Sequence, residues 1–241
     1  MKPLVAQARL ELTLTLRNGE SLLLTLGIPV AVLVFFSLVD VLPIEGEPVD
    51  HLAPGVLALA VLATAFANLA ISTGFDRSYG VLKRLGTTPL GRPRLVAAKG
   101  VAVLVVIALQ AVVLVVAALA LGWSPDIDLV PLVTAVVLAV AAFVGLALVL
   151  AGRLGALVCL AAANALFIGL LLVSGMVFPL DELPSGLEAA AEALPSTALV
   201  EALRGALGDA DIPGRVWAVL AVWAIAGVAL AVALFRWEPG D

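Results

Sequence analysis

The chain has 241 residues, 63% of them hydrophobic and 13% charged, with a formal net charge of −5 and a mean hydropathy of +1.20. Soluble domains carry about 45–50% apolar and about 25% charged residues, so a water-soluble fold of this composition would lack the polar surface to cover itself. One histidine (His51) and one cysteine (Cys159) exclude an internal disulfide, a cysteine metal site and His-cluster metal chemistry.

Charge is confined to a few clusters, between which lie charge-free runs at 21–39, 51–75, 100–125, 129–152, 154–180 and 216–235. A helix needs about 20 apolar residues to cross a bilayer core of about 30 Å. The pattern predicts an all-α membrane protein, a single transmembrane domain over 1–241, with six transmembrane helices near 21–41, 53–75, 98–122, 129–151, 155–178 and 215–236. No cleaved signal peptide is expected, because the first run begins only at Ser21 and no small-x-small site follows it.

In chain order, residues 1–20 read as a helix with Leu4, Ala8, Leu12 and Leu16 on one side. It either lies in the membrane interface or extends the first span into the cytosol. Pro29 should kink the first span. On the second, Thr64, Asn68 and Ser72 recur at i, i+4 and i+8 and share a face. That face either lines a translocation path or bonds neighbouring helices together. Residues 76–97 form a basic connector holding Arg77, Lys83, Arg84, Arg92 and Arg94, with Lys99 just beyond. Between spans four and five only Gly152, Arg153 and Leu154 intervene, which predicts tight antiparallel neighbours. On the fifth span Asn164 lies beside a small-residue ridge of Ala161, Ala165 and Gly169.

The segment 179–212 is longer and acidic, and breaks into two short amphipathic helices. Pro179 and Pro184 precede the first, where Ser185 and Glu188 fit a capping box. Pro195 breaks it, Ser196 can cap the second, Arg204 lies on the second, and Gly208 can stop it. Pieces of this length cannot span a bilayer, so they form a re-entrant hairpin or lie flat on the surface.

With six spans both termini share one side. Placing them in the cytoplasm puts eleven of the thirteen Lys and Arg inside, leaving only Arg204 and Arg215 outside, while most acids fall outside. Orientation follows this Lys/Arg bias, which on its own would also explain the basic connector. No predicted span holds a central ionisable side chain, which argues against a proton- or sodium-coupled carrier. No G-x-x-x-x-G-K-[ST] phosphate loop is present, so if the chain pumps, a separate ATPase must drive it. A membrane enzyme would need a nucleophile–base pair or paired carboxylates at depth, and none is evident.

Two motifs carry a resemblance. "YGVLKRLGTTPLGRPRLVAAK" and "SGMVFPLDELP…LPSTALVEALRG", set in this topology, resemble the type-2 ABC-transporter permeases, above all the bacterial daunorubicin-resistance and nodulation-export group. The first departs from that group in its Asp76-Arg77-Ser78-Tyr79 start, the second in lacking a tyrosine after Thr197. The resemblance implies a bacterial plasma-membrane exporter subunit, paired with a second, identical or paralogous permease chain and with cytosolic ATP-binding subunits that hold the ATP and Mg. It binds no cofactor itself and no nucleic acid; membrane lipid is its other partner. The resemblance further implies a short cytosolic coupling helix over Arg77, Tyr79, Gly80, Val81, Leu82, Lys83, Arg84, Leu85, Thr87, Thr88 and Pro89, with Val81, Leu82 and Leu85 as its apolar docking face. The expected cargo is a lipophilic or amphipathic small molecule. A glycan exporter of the same superfamily and a non-transporting scaffold are the alternatives.

Overall fold

The computed structural model describes residues 2–39, 48–88, 90–176, 180, 183–208 and 211–237, and among them there are helices and no strands. Helix α1 (Lys2–Arg17) meets α2 (Gly19–Leu38) at Asn18. Helix α3 (Pro48–Leu62), a π-helical segment (Ala63–Asn68) and α4 (Leu69–Ser78) follow one another without a break, giving one span of 31 residues. Then come α5 (Val81–Gly86), α6 (Gly91–Ala120), α7 (Leu129–Arg153), α8 (Ala156–Val173), α9 (Ser185–Glu192), α10 (Pro195–Ala206) and α11 (Gly214–Leu234). Among the described residues five helices are long and apolar enough to cross a membrane: Pro48–Ser78, α6, α7, α8 and α11. Helix α2 adds a shorter apolar stretch, Thr25–Leu38.

Helix α7 is the centre of the bundle, packed on α11, α4 and α10. Its closest neighbour is α11, because glycines meet there: a Cβ on Gly145 would overlap the Gly227 backbone, and one on Gly227 would sit 2.8 Å from the Ala142 carbonyl oxygen. Close helix approach through small residues maximises van der Waals contact where no hydrophobic force separates helix from lipid. The short 152–154 connector does not make α7 and α8 intimate neighbours, contrary to the sequence expectation. Leu154 and Gly155 are both extended, which swings α8 away from α7 and onto α4. Helix α8 buries only Cys159 and Ala163, so Ala161, Ala165 and Gly169 stand exposed.

Helix α1 lies along α6. Its inward side is centred on Gln7, Ala8 and Glu11, while Leu16, expected on the apolar stripe, faces out with Val5, Leu10 and Leu14. The wheel is turned because Glu11 reaches a buried lysine, described below.

The second short helix of the 179–212 segment does not lie flat on the bundle surface: α10 is buried among α3, α7 and α11, with Leu199 and Leu203 fully enclosed. The expected caps are absent. Pro184 occupies the N-cap of α9 and makes Ser185 its first helical residue, so the Ser185–Glu188 capping box does not form. Leu194 is the N-cap of α10, Pro195 takes the first turn and Ser196 is enclosed one position further in. Proline suits this position because its missing N–H is one the first turn leaves unpaired anyway. Helix α10 ends at Ala206, before Gly208, with no left-handed residue there. Pro179 lies outside the described residues.

Candidate functional site

Two regions concentrate the polar chemistry that the spans otherwise avoid, and a third closes the opposite end. The first is the turn around α5. Helix α4 ends through the bonds from Tyr79 N–H to the Phe75 carbonyl (2.9 Å) and from Gly80 N–H to the Arg77 carbonyl (3.2 Å). Gly80 then adopts φ +74°, a left-handed conformation that costs other residues a Cβ clash, and becomes the N-cap of α5. At the far end the Thr87 hydroxyl donates to the Arg84 carbonyl (2.8 Å) and the Thr88 hydroxyl to that of Leu85 (2.6 Å). These local bonds satisfy carbonyls that a six-residue helix leaves open. Pro89, the last residue of the expected coupling segment, lies outside the described residues.

Which side of α5 faces out differs from expectation. Leu82 is wholly buried and Leu85 half-buried against the bundle, so they anchor α5 and leave Val81 as the exposed apolar residue of the three. Tyr79, Lys83, Arg84, Thr87 and Thr88 are exposed with it. Arg77 is also turned inward, donating from one guanidinium nitrogen to the carbonyls of Ala151 (3.3 Å) and Leu154 (3.2 Å). It closes the C-terminus of α7, where open carbonyls and the helix dipole favour a cation. Two further contacts close the same end of the bundle: Arg92 reaches the Ala233 carbonyl at 3.5 Å, and Trp237 packs over Gly86.

The second region is a cavity of about 290 Å³ between α1, α2, α6 and the second span, lined by Glu11, Asn18, Thr25, Thr64, Asn68, Ser72, Asp76 and Lys99 among others. The i, i+4, i+8 face of Thr64, Asn68 and Ser72 does converge here. Thr64 donates to Gln110 Oε1 (3.0 Å) and Asn68 Nδ2 to Thr25 Oγ1 (3.3 Å), whereas Ser72 bonds only back to the Leu69 carbonyl of its own helix (3.2 Å). Asn164 belongs elsewhere: it is exposed on α8 and donates to the Leu160 carbonyl. Gln110, missed in the sequence, is 1% exposed and donates from Nε2 to the Thr25 carbonyl at 3.0 Å. That carbonyl is available because Pro29, four residues on, has no N–H to offer it. The signal was present as one amide in a charge-free run of 26 residues and a proline four positions after a threonine.

Lys99 corrects a further expectation. Helix α6 starts at Gly91 rather than near 98, so Lys99 sits two turns inside a span and is 1% exposed. Its Nζ lies 2.9 Å from Glu11 Oε1 and 3.9 Å from Asp76 Oδ2. An ammonium this buried persists only when paired. The charged groups pair three separate segments of chain around one hollow.

At the opposite end of the bundle Arg204 donates to the Gly175 carbonyl (2.8 Å), and Gly175 itself has φ +75°. Burial draws the Arg204 pKa below its usual value, with Glu201 acting the other way. Arg215 pairs with Glu192 (3.3 Å) and Glu201 (3.0 Å), and the Trp223 indole donates to the Ala193 carbonyl (2.8 Å), which ties α9, α10 and α11 together. Glu188 is half-buried on α9 beside the exposed Pro184 and Ser185. Among the described residues no group of His, Cys, Asp and Glu is arranged to hold a metal ion.

No curated protein matches the chain. A family model described as ABC-2 type transporter matches residues 4–207, from α1 through α10. Polytopic helices of this composition, a capped helical turn between two long spans, and a match over most of the length converge: the chain belongs to the ABC-2 type transporter family and is a multi-pass membrane permease component, not itself the ATPase.

Proposed function

We propose that the chain is the permease half of an exporter, moving a lipophilic or amphipathic small molecule outward across a bacterial plasma membrane. Two permease chains, identical or paralogous, pair with two cytosolic ATP-binding subunits that carry ATP and Mg. Six spans cross the bilayer, with α2 as the first, and both termini and α5 lie in the cytoplasm. The Lys/Arg asymmetry supports that orientation. Helix α1, which exposes Val5, Leu10 and Leu14, rests in the inner interface. Helices α9 and α10 form the outer re-entrant hairpin, as burial of α10 against three spans supports.

The observation that carries this reading is α5: a helix of six residues, fixed inward by Leu82 and Leu85 and presenting Tyr79, Val81, Lys83, Arg84 and Thr87 outward. A short helix anchored to two long spans passes a rigid-body push on to both of them. The mixed cavity beside Thr64 and Asn68 supports an amphipathic cargo, since Val103 and Val106 line it together with hydroxyl and amide groups.

The test is co-purification with the ATP-binding subunit. Val81→Asp combined with Arg84→Glu is expected to abolish association while leaving the bundle folded, because both side chains are exposed. Undiminished association of the double variant would remove α5 as the docking element.

A further inference from the structure

Two hollows at the end of the bundle remote from α5 follow one another. The first, about 370 Å³, is lined by Asp50, His51, Trp123, Asp126 and Arg204, and also by Leu207. The second, about 290 Å³, is lined only by apolar side chains of α3, α6, α7 and α10, together with Ile127, and it shares Leu207 with the first. Along three segments the linings are successive: Pro54 then Leu57 on α3, Asp126 then Ile127 in the loop, Arg204 then Leu203 on α10. A polar chamber therefore opens into an apolar slot. Val133 and Val137, on the slot's rim, are exposed on helices of membrane-spanning length, so the slot faces lipid.

The polar chamber carries charges that do not satisfy one another. Arg204 spends one nitrogen on the Gly175 carbonyl, its buried Nε has no hydrogen-bond partner, and among the described residues it makes no ion pair. The carboxylate that is electrostatically nearest, Glu201, is already engaged by Arg215. A half-buried guanidinium without a counter-ion favours an anion with several acceptor oxygens, such as a phosphate. Asp50 and Asp126, both exposed on the same chamber, favour a cation beside it. Trp123, 4% exposed, supplies the indole that favours the level of lipid headgroups.

We infer that this two-part hollow is a binding site for one phospholipid molecule with a zwitterionic phosphoethanolamine headgroup. Its phosphate lies on Arg204, its ammonium lies between Asp50 and Asp126, and one acyl chain fills the slot between α3, α6, α7 and α10. The lipid seals the seam where α10 enters the bundle. The site does not depend on which side of the membrane the chain's termini occupy.

The test uses the full chain in phosphatidylglycerol nanodiscs doped with one of three lipids carrying the same tail diazirine: phosphatidylethanolamine, phosphatidylglycerol or diacylglycerol. After irradiation, crosslinks are mapped by peptide mass spectrometry. The phosphatidylethanolamine probe should label α3, α6 and α7 at the slot more than either of the others. Arg204→Gln should lower its advantage over diacylglycerol roughly tenfold, as expected when a hydrogen bond to a charged group is lost. Ala111→Phe, or Val137→Phe at the rim, should remove slot labelling while labelling of the exposed face of α8 persists. Equal labelling by all three probes would reduce the site to ordinary lipid contact, and a preference for phosphatidylglycerol would overturn the zwitterionic headgroup. Undiminished labelling in both filled-slot variants would overturn the tail position. If a variant fails to fold, the comparison of probes on the unaltered chain decides.

Discussion

The seam between α7 and α11 and the hollow enclosed by α1, α2, α4 and α6 solve the same problem in opposite ways. In the seam, contact is dry and backbone meets backbone: Gly145 against Gly227, then Gly152 against Phe235. In the hollow, helices are held apart and joined by side chains, through Lys99–Glu11 at 2.9 Å and the Thr64–Gln110–Thr25 bonds. A close-packed interface resists any shift, because sub-ångström gaps forfeit much of the dispersion energy. A polar, partly empty interface can exchange partners at little change in contact. The two regions thus set a dry spine against a polar, partly open interface, and the second span, with α5 at its base, borders both.

The largest effect is expected at the spine. In an exposed helix Gly→Ala stabilises by about 1 kcal/mol through propensity, so Gly169→Ala, with nothing within 4 Å of its Cβ, should raise the unfolding temperature slightly. Gly145→Ala should do the reverse and exceed the ~1–3 kcal/mol of ordinary overpacking, since the obstacle is the Gly227 backbone rather than a side chain that can turn away. Thermal unfolding in detergent reads both, and a shift of the same sign at the two positions would break the contrast between seam and surface.

Next comes the buried lysine. Lys99→Met strands Glu11 and Asp76 without their shared cation, a loss below the ~3–5 kcal/mol of a fully buried pair broken on one side, because both carboxylates keep some contact with solvent. Glu11→Gln with Lys99→Met should be less damaging than Lys99→Met alone, because the second change removes the stranded carboxylate. A double-mutant cycle by denaturant unfolding measures this coupling; strict additivity would show that the cluster is not a unit.

Much of this was legible in the chain itself, for physical reasons. The bilayer imposes one demand, length without charge, and five of the six charge-free runs fall on described helices long and apolar enough to meet it. The short helix after Gly80 follows from the motif's resemblance, and the glycine before it suits the left-handed turn that a Cβ would resist. What escaped was everything decided by rotation about a helix axis. Val81, Leu82 and Leu85 are equally apolar in the sequence, and only packing decides that Leu82 faces in and Val81 out. Arg77, which the resemblance assigns to the coupling segment, turns inward because the open carbonyls at the end of α7 lie beside it. The Gly145–Gly227 contact was hidden because alanines crowd both helices, so small residues carry little contrast there. The capping serines misled because Pro184 and Pro195 set the helix starts first. Lys99 was misplaced because the apolar run begins after it, while the helix begins eight residues before it.

The smallest effect gives the sharpest separation between hollow and spine. Gln110→Leu is nearly isosteric, yet it leaves the Thr25 carbonyl and the Thr64 hydroxyl without their partner, a loss of about 1–3 kcal/mol. If the Thr25 bond exists because Pro29 lacks an N–H, then Pro29→Ala returns the helix's own donor to that carbonyl. In the Pro29→Ala background Gln110→Leu should therefore cost less, with the remainder assigned to Thr64. The coupling is read from the difference between the two unfolding free energies. A loss of equal size in both backgrounds would mean that the glutamine acts on Thr64 alone and that α2 is not tied to α6 through its kink. A diminished loss would place the proline and the glutamine, 81 positions apart, in one device: a span opened at one carbonyl and closed by its neighbour, at the wall of the same cavity that holds Lys99.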